Sequence, residues 1–144
     1  MQIYLLHTSP QLFDIAVLIA RIFIGLCFVM HGLGKLGIVG PGNMAGFSGW
    51  LKSLGLPFPE LQARMAMLNE LVGGALITLG LFTRLGLVVC FFMMLVAIRL
   101  GHRGAGYLIT NNPPGWEYAL NLAMICVVLF LLGPGAYSLD ALLF

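Results

Sequence analysis

Charged side chains are scarce in this sequence. Asp, Glu, Lys and Arg together make up 8% of its 144 residues, whereas hydrophobic residues make up 60%. Soluble domains carry roughly 25% charged residues, and a soluble fold of this length could not bury so much apolar surface. The composition therefore excludes an ordinary soluble protein and predicts an integral membrane protein, with residues 1–144 forming a single domain.

Basic tracts and a secretory signal are also missing. The net charge of +2 is small, and no cluster of Lys and Arg of the kind that grips phosphates is present. Nucleic acid is therefore not expected as a partner. The N-terminus has neither a basic region nor a small-residue cleavage motif, so the first apolar run is predicted to be a membrane span and not a removed signal peptide.

Cysteine pairs and metal-ligand patterns are absent from the sequence. Cys27, Cys90 and Cys126 each lie inside an apolar run, and there is no CxxC, HxxxH or ExxH pattern. Isolated cysteines in apolar helices usually act as small packing residues. We therefore predict no dithiol chemistry, no metal or haem site and no intrinsic cofactor.

Long apolar runs are what the sequence has instead. A transmembrane helix needs ~20 largely apolar residues, and strands are disfavoured because the runs are continuous and lack polar alternation. The sequence thus predicts an all-α membrane protein, a four-transmembrane-helix bundle. The four predicted spans cover about residues 13–36, 61–82, 85–100 and 116–132.

The segment between spans one and two has an amphipathic pattern. Phe47, Trp50, Leu51 and Leu54 follow the spacing i, i+3, i+4, i+7 and so share one helical face. Trp50 is of a type that favours the headgroup level of a bilayer. We therefore expect a short interfacial helix between spans one and two.

The basic residues are unevenly distributed between the two ends of the predicted bundle. Four spans would put both termini on one side and loops one and three on the other. The positive-inside rule then predicts that loops one and three are cytoplasmic and that both termini lie outside. The side of loops one and three carries Lys35, Lys52, Arg64, Arg99 and Arg103, whereas of the residues counted only Arg84 lies on the other side.

Two charged residues interrupt the first two spans. Arg21 lies within span one and Glu70 within span two, and an arginine in lipid costs ~2.5–3.5 kcal/mol on insertion scales. Arg21 therefore needs a partner, and helix lengths predict a bidentate pair with Glu70. Such a pair either fixes the helix register or belongs to a redox or proton-coupled site.

Further polar residues are predicted to meet at the end of span one. His31 and Lys35, at i and i+4, share a face with Arg21. Glu117 opens span four on the same side, with Asn121 one turn deeper. The hypothesis is a polar vestibule built from these side chains, with Arg21 and Glu70 below it.

Simpler interpretations exist for each residue taken singly. Lys35 can extend to the lipid headgroups, His31 can bond a carbonyl where the helix breaks, and Glu117 can be a first-turn acid stabilised by the helix dipole. Tyr118 and Trp116 are more typical of an interfacial aromatic belt. The functional interpretation depends on several polar residues lying together at the end of the bundle that carries loops one and three.

Several motifs together resemble the DoxX family of small bacterial membrane proteins. They are "RIFIGLCFVMHGLGKLG", "GFSGWLKSLGLPFPEL", "LNELVGGALITLGLFTRLG" and "WEYALNLAMICVVLFLLGPGAYSLDALL". The resemblance implies a four-span bundle in the bacterial cytoplasmic (inner) membrane and a general label of oxidoreductase. It also implies association of some members with superoxide dismutase and a sulfurtransferase under oxidative or thiol stress. The positions that match the family's polar motifs are Arg21, His31, Lys35, Glu70 and Glu117.

The residues and the resemblance together suggest a membrane redox subunit that interacts with quinone or with a partner oxidoreductase. The expected proton-transfer and charge-stabilising residues are His31, Lys35 and Glu70, and the expected substrate-binding residues are Arg21, Glu117 and Asn121. Candidate partners are the lipid bilayer, quinone, a membrane or peripheral oxidoreductase and a second copy of the chain. The alternative is a non-enzymatic small-solute transporter or a membrane assembly scaffold.

Overall fold

The regular structure of the protein is entirely helical over residues 9–144, which are those described by the computed structural model. The prediction of an all-α fold is therefore confirmed for this range. Its helices are α1 (Pro10–Lys35), α2 (Met44–Ser53), α3 (Pro59–Leu79), α4 (Thr83–Val96), a π-helical turn (Ala97–Gly101), α5 (Glu117–Leu132) and α6 (Leu139–Leu143).

Two of these helices are long and apolar enough to cross a membrane. They are Pro10–Lys35 and Thr83–Gly101, the second being α4 continued by the π turn, and the shorter α5 is also apolar. The helix α3 is of similar length but carries Glu60, Arg64 and Glu70. The fold is therefore that of a helical membrane protein, and the predicted helix α2 lies between α1 and α3 as expected.

Glycines allow α1 and α3 to pack closely in antiparallel orientation. A Cβ atom on Gly25 would lie 2.7 Å from the carbonyl oxygen of Gly74, and one on Gly74 would lie 2.6 Å from that of Gly25. Nearer the end of α1, a Cβ atom on Gly32 would lie 2.7 Å from the Leu71 side chain. Small residues of this kind let helix backbones approach in membrane proteins, where packing replaces the hydrophobic effect as the driving force.

Apolar side chains from α1, α3, α4 and α5 meet in one core. Phe28, Ile77 and Leu87 are almost fully buried there. Cys90 and Cys126 are buried in the same core, as expected for packing residues. Cys27 is half-buried, and all three cysteines are free thiols.

The helix bundle has two distinct ends. At the first, which we call the loop end, Trp50 of α2 packs against Gly101 of the π turn. At the second, the tail end, the segment after α5 returns to α1, and the Ala136 N–H donates a hydrogen bond to Asp14 at 2.9 Å. Loops one and three therefore lie together, away from the C-terminal segment.

Candidate site at the loop end of the bundle

A cavity of about 270 Å³ lies inside the loop end. Its walls are largely apolar, and the helix α2 covers it with Trp50 and Leu51. Polar groups reach it from three helices, namely Lys35 of α1, Glu70 of α3 and Tyr118 of α5. The apolar lining includes Phe28, Phe47, Met93, Met94, Ala97, Leu100 and Leu122.

Lys35 and Glu70 form an ion pair in the wall of this cavity. The Lys35 Nζ atom donates to both carboxylate oxygens of Glu70 at 2.6 Å. The Glu70 side chain is 7% exposed and that of Lys35 is 17% exposed, so the pair is largely shielded from solvent. Lys35 Nζ also lies 4.8 Å from the centre of the Phe47 ring, which connects α2 to the pair through a cation–π contact.

Arg21 lies at the other end of the bundle, so the predicted Arg21–Glu70 pair is wrong. The Arg21 residue is 1% exposed, and its guanidinium donates to the carbonyl oxygen of Tyr137. The prediction assumed that the start of span one and the end of the antiparallel span two lie at the same membrane surface. Instead Gly80, just after α3, packs against Arg21, so α1 extends about 11 residues, or ~16 Å, past the end of α3.

Asp140 is the acidic residue near Arg21. Its carboxylate accepts hydrogen bonds from the N–H groups of Phe82 at 2.6 Å and Thr83 at 2.9 Å, where α4 begins. Burial alone would raise the pKa of Asp140, but the Thr83 and Phe82 hydrogen bonds and the Arg21 charge lower it, and the net pKa is below its ordinary value. The tail end is therefore held by a charge cluster separate from the cavity.

Tyr118 joins the site, although its sequence position suggested an interfacial belt residue. Its hydroxyl oxygen lies 3.1 Å from His31 Nε2 and 3.0 Å from Cys27 Sγ. Tyr118 precedes Leu122 by one turn, and Leu122 is buried in the core. Comparing the position of Tyr118 with the apolar positions of α5 could have identified it as a cavity residue.

Glu117 and Asn121 do not line the cavity. Glu117 accepts a hydrogen bond from the Ile109 N–H at 3.1 Å and so holds loop three against the start of α5. Asn121 is exposed on the outer surface of α5. Of the six predicted site residues, the structure brings His31, Lys35 and Glu70 to the cavity and places the other three elsewhere.

An open groove of about 590 Å³ adjoins the cavity on the side of loop one. His31, Lys35 and Phe47 line both spaces. These three side chains therefore form the wall between the groove and the interior. Within residues 9–144 no group of three or more His, Cys, Asp or Glu side chains is arranged to hold a metal ion.

The fold and the cavity define a small helical membrane protein with an ion pair in the wall of an internal cavity. The DoxX family profile matches residues 16–103, a segment that contains His31, Lys35 and Glu70. The chain belongs to the DoxX family.

Several curated relatives match most of the chain. The inner membrane protein YphA of Escherichia coli is 34% identical over 132 residues, covering 88% of this chain and 89% of the relative. The inner membrane protein YqjF of Escherichia coli is 31% identical, covering 92% of this chain and 95% of the relative. CatD of Bacillus subtilis, whose name describes it provisionally as an oxidoreductase, is 36% identical but covers 51% of this chain and 49% of its own length. No solved structure matches the chain.

Proposed function

We propose that this DoxX-family protein binds the head group of a membrane quinone in the loop-end cavity and acts as a membrane subunit of a redox system. The observation that carries the proposal is the Lys35–Glu70 pair in the wall of an otherwise apolar cavity. Ligand sites commonly combine apolar walls with a few well-placed polar groups. A quinone ring has the same division, with an apolar face and two polar carbonyl oxygens.

The size of the cavity favours a single ring. Ligand pockets usually measure roughly 300–1,000 Å³, and this one, at about 270 Å³, is at the small end. A ring with a few substituents suits such a volume better than a dinucleotide or a porphyrin. The apolar outer surface of the surrounding helices would accept an isoprenoid tail in the lipid phase.

The polar groups suit the chemistry of quinone reduction. When bound, a quinone accepts two electrons and two protons and becomes a quinol. Lys35 Nζ would donate a hydrogen bond to a carbonyl oxygen and stabilise negative charge there. Glu70, His31 and the Tyr118 hydroxyl are groups that can hold or pass protons.

The electrons would come from a partner oxidoreductase, either in the membrane or at its surface. The three cysteines are free thiols, and the sequence has no haem-ligand pattern. The role proposed for this chain is therefore to hold a quinone within reach of a redox enzyme. Oxidative or thiol stress is the condition in which the family resemblance places such a system.

We also propose that α1, α3, α4 with its π turn, and α5 all cross the inner membrane. The charges of α3 argue against it crossing by itself, but the Lys35 ammonium neutralises Glu70 inside the bundle. The 16 residues of α5 span ~24 Å, and the flanking Trp116 lies at its start. Loops one and three would then be cytoplasmic.

Tryptophan fluorescence tests quinone binding directly, because the chain has two tryptophans. Trp50 lines the cavity, whereas Trp116 does not. In the W116F variant, a short-chain ubiquinone analogue should quench Trp50 with a saturable curve. In the W50F variant, Trp116 should show only the linear quenching caused by quinone dissolved in the detergent micelle.

Variants of the polar residues that line the cavity, Glu70 and Tyr118, supply the second part of the test. In the W116F background, E70Q and Y118F should weaken the saturable quenching, while Y137F, whose exposed ring is at the tail end, should not. Equal and linear quenching of both tryptophans would overturn the proposal. Saturable quenching that E70Q and Y118F leave unchanged would place the quinone elsewhere.

A second candidate function is small-solute transport. It is favoured by the groove that adjoins the cavity across His31, Lys35 and Phe47, because transporters need a route from the surface to an interior site. A deletion strain with normal quinone-linked respiration but altered efflux of a toxic compound would favour this alternative. A purely structural scaffold would instead show changed expression, and nothing more, when Glu70 is neutralised.

A further inference from the structure

A second concave site lies on the outside of the loop end, between the π turn and the start of α5. It is a cleft of about 460 Å³, and its lining includes Arg99, His102, Arg103 and Trp116. Leu100 and His102 line both the cleft and the inner cavity, whereas the two arginines and Trp116 line the cleft and not the cavity. The cleft thus adjoins the cavity but has a different chemical character.

Two guanidinium groups give the cleft its positive charge. Arg99 and Arg103 are exposed, and within residues 9–144 neither forms an ion pair with a carboxylate, the Lys35–Glu70 pair being the one found there. A guanidinium presents several N–H donors in a planar fork that fits phosphate oxygens. Two such groups facing one cleft make a site for a phosphate-type anion.

His102 and Trp116 give the cleft a fixed shape. His102 Nδ1 lies 2.8 Å from the carbonyl oxygen of Pro114, which holds the π turn against loop three. The Trp116 ring packs edge-on against Tyr107, with ring centres 4.9 Å apart. The walls are therefore held by contacts within the protein and do not depend on a ligand to order them.

The position of the cleft indicates what kind of phosphate it would meet. The apolar helix Thr83–Gly101 ends here and the apolar helix α5 begins here. On the membrane crossing proposed above for these two helices, on which this inference rests, the cleft lies where the hydrocarbon region gives way to water. Tryptophan is enriched at that depth. Basic pockets at the ends of membrane helices are suited to the phosphates of anionic lipids.

A cleft of about 400 Å³ at the tail end has a different charge, because its lining contains one arginine, Arg84, together with the carboxylate of Asp140. Arg84 lies there over the Phe130 ring at 5.6 Å, and Asp14 and Asp140 are both engaged with backbone N–H groups. We propose that the Arg99–Arg103 cleft binds the phosphate headgroup of an anionic lipid such as phosphatidylglycerol. The site is independent of the quinone proposal and uses arginines that the cavity does not.

The proposal can be tested by measuring lipid-dependent stability in detergent. Short-chain phosphatidylglycerol should raise the unfolding temperature of the wild type, and phosphatidylcholine of the same chain length should not. The double variant R99Q/R103Q should lose this effect, with at least a tenfold weaker apparent affinity. The matched control R84Q, which removes one arginine at the tail end, should keep the wild-type response.

Three outcomes would overturn the proposal. The first is an equal response to both lipids, and the second is an undiminished response in R99Q/R103Q. The third is a response to inorganic phosphate alone at similar concentration, which would indicate a soluble anion in place of a lipid. The single variant R103Q gives the same comparison should the double variant fold poorly, and an unchanged helical circular-dichroism spectrum serves as a check that the fold is intact.

Discussion

The ammonium nitrogen of Lys35 lies 2.6 Å from both carboxylate oxygens of Glu70. This contact joins the last turn of α1 to the middle of α3, at the wall of the loop-end cavity. It turns two charges on neighbouring helices into a neutral unit. The same contact therefore links the two helices and supplies the polar groups of the proposed quinone site.

Removing one partner of this pair should destabilise the protein more than removing both. The variant E70Q leaves Lys35 as a partly buried cation, and breaking a buried pair in this way costs ~3–5 kcal/mol, with less expected here because Lys35 is 17% exposed. The double variant K35M/E70M replaces the pair by apolar groups. We expect it to recover much of the lost unfolding temperature.

Quinone binding separates the structural role of the pair from its functional role. K35M/E70M should remain folded but lose the saturable quenching of Trp50, because the cavity then has no charged donor or acceptor. If this double variant binds quinone as well as the wild type does, the pair serves packing alone. The exposed variant N121A is a control that should change neither stability nor binding.

The contact between α1 and α3 should not tolerate a side chain at Gly74. An added Cβ would lie 2.6 Å from the Gly25 carbonyl oxygen and 2.9 Å from the Val29 nitrogen, and both are backbone atoms that cannot move independently. Overpacking typically costs ~1–3 kcal/mol, so G74A should lower the unfolding temperature clearly.

Gly49 offers a matched control for this substitution. It lies within α2, and a Cβ placed on it meets nothing within 4 Å. Because alanine is favoured over glycine in helices by ~1 kcal/mol, G49A should leave the unfolding temperature unchanged or raise it. Equal destabilisation by G74A and G49A would contradict the close approach of α1 and α3.

Asp140 should make stability dependent on pH in the acidic range. Its pKa is lowered in the folded protein, so its contribution is fully present above the unfolded pKa of ~3.9 and is lost as the pH falls through the lower folded value. Between pH 5 and pH 3, the unfolding temperature of the wild type should therefore decrease more than that of D140N.

At neutral pH, D140N should be less stable than the wild type by about 1 kcal/mol, because its single amide oxygen replaces the two carboxylate oxygens that accept from the Phe82 and Thr83 N–H groups. The control is E60Q, which removes an exposed carboxylate from the first turn of α3 and should keep the wild-type pH dependence. If D140N and the wild type lose stability in parallel on acidification, Asp140 does not anchor the tail end.

Local sequence patterns were enough to predict α1 to α5, but not the short C-terminal helix α6. The apolar runs match α1, α3, α4 and α5 to within a few residues, and the spacing of Phe47, Trp50 and Leu51 predicted α2. The π turn at Ala97–Gly101 was not predicted, because it differs from an α-helix in its hydrogen-bond pattern and not in composition. Helix identity depends on properties of neighbouring residues, which a single sequence contains.

The contact partners of the charged residues depend on how far the helices are shifted along their axes relative to one another, which the sequence does not show directly. Predicting the partner of Arg21 required the axial register of α1 against α3. In the structure, Gly25 packs closely against Gly74 in this register. The C-terminal segment then supplies the Tyr137 carbonyl that Arg21 contacts. Lys35 was predicted as a site residue, but its contact with Glu70 followed only from the three-dimensional register.

The positive-inside rule leads to a prediction about the C-terminus. Lys52, Arg64, Arg99 and Arg103 lie towards the loop end, whereas Arg84 is at the tail end, so the loop end should face the cytoplasm. Alkaline phosphatase fused after Phe144 should then be active, because this enzyme folds only outside the cytoplasm. Green fluorescent protein fused at the same point should be dark.

Fusions at the loop end provide the reciprocal measurement. After truncation at Arg103, green fluorescent protein should be bright and alkaline phosphatase inactive. Each position thus gives a positive signal with one of the two reporters, so poor expression cannot imitate either result. A bright fluorescent fusion after Phe144 would reverse the orientation, and the Arg99–Arg103 cleft would then face the outer leaflet, where its lipid partners would have to be sought.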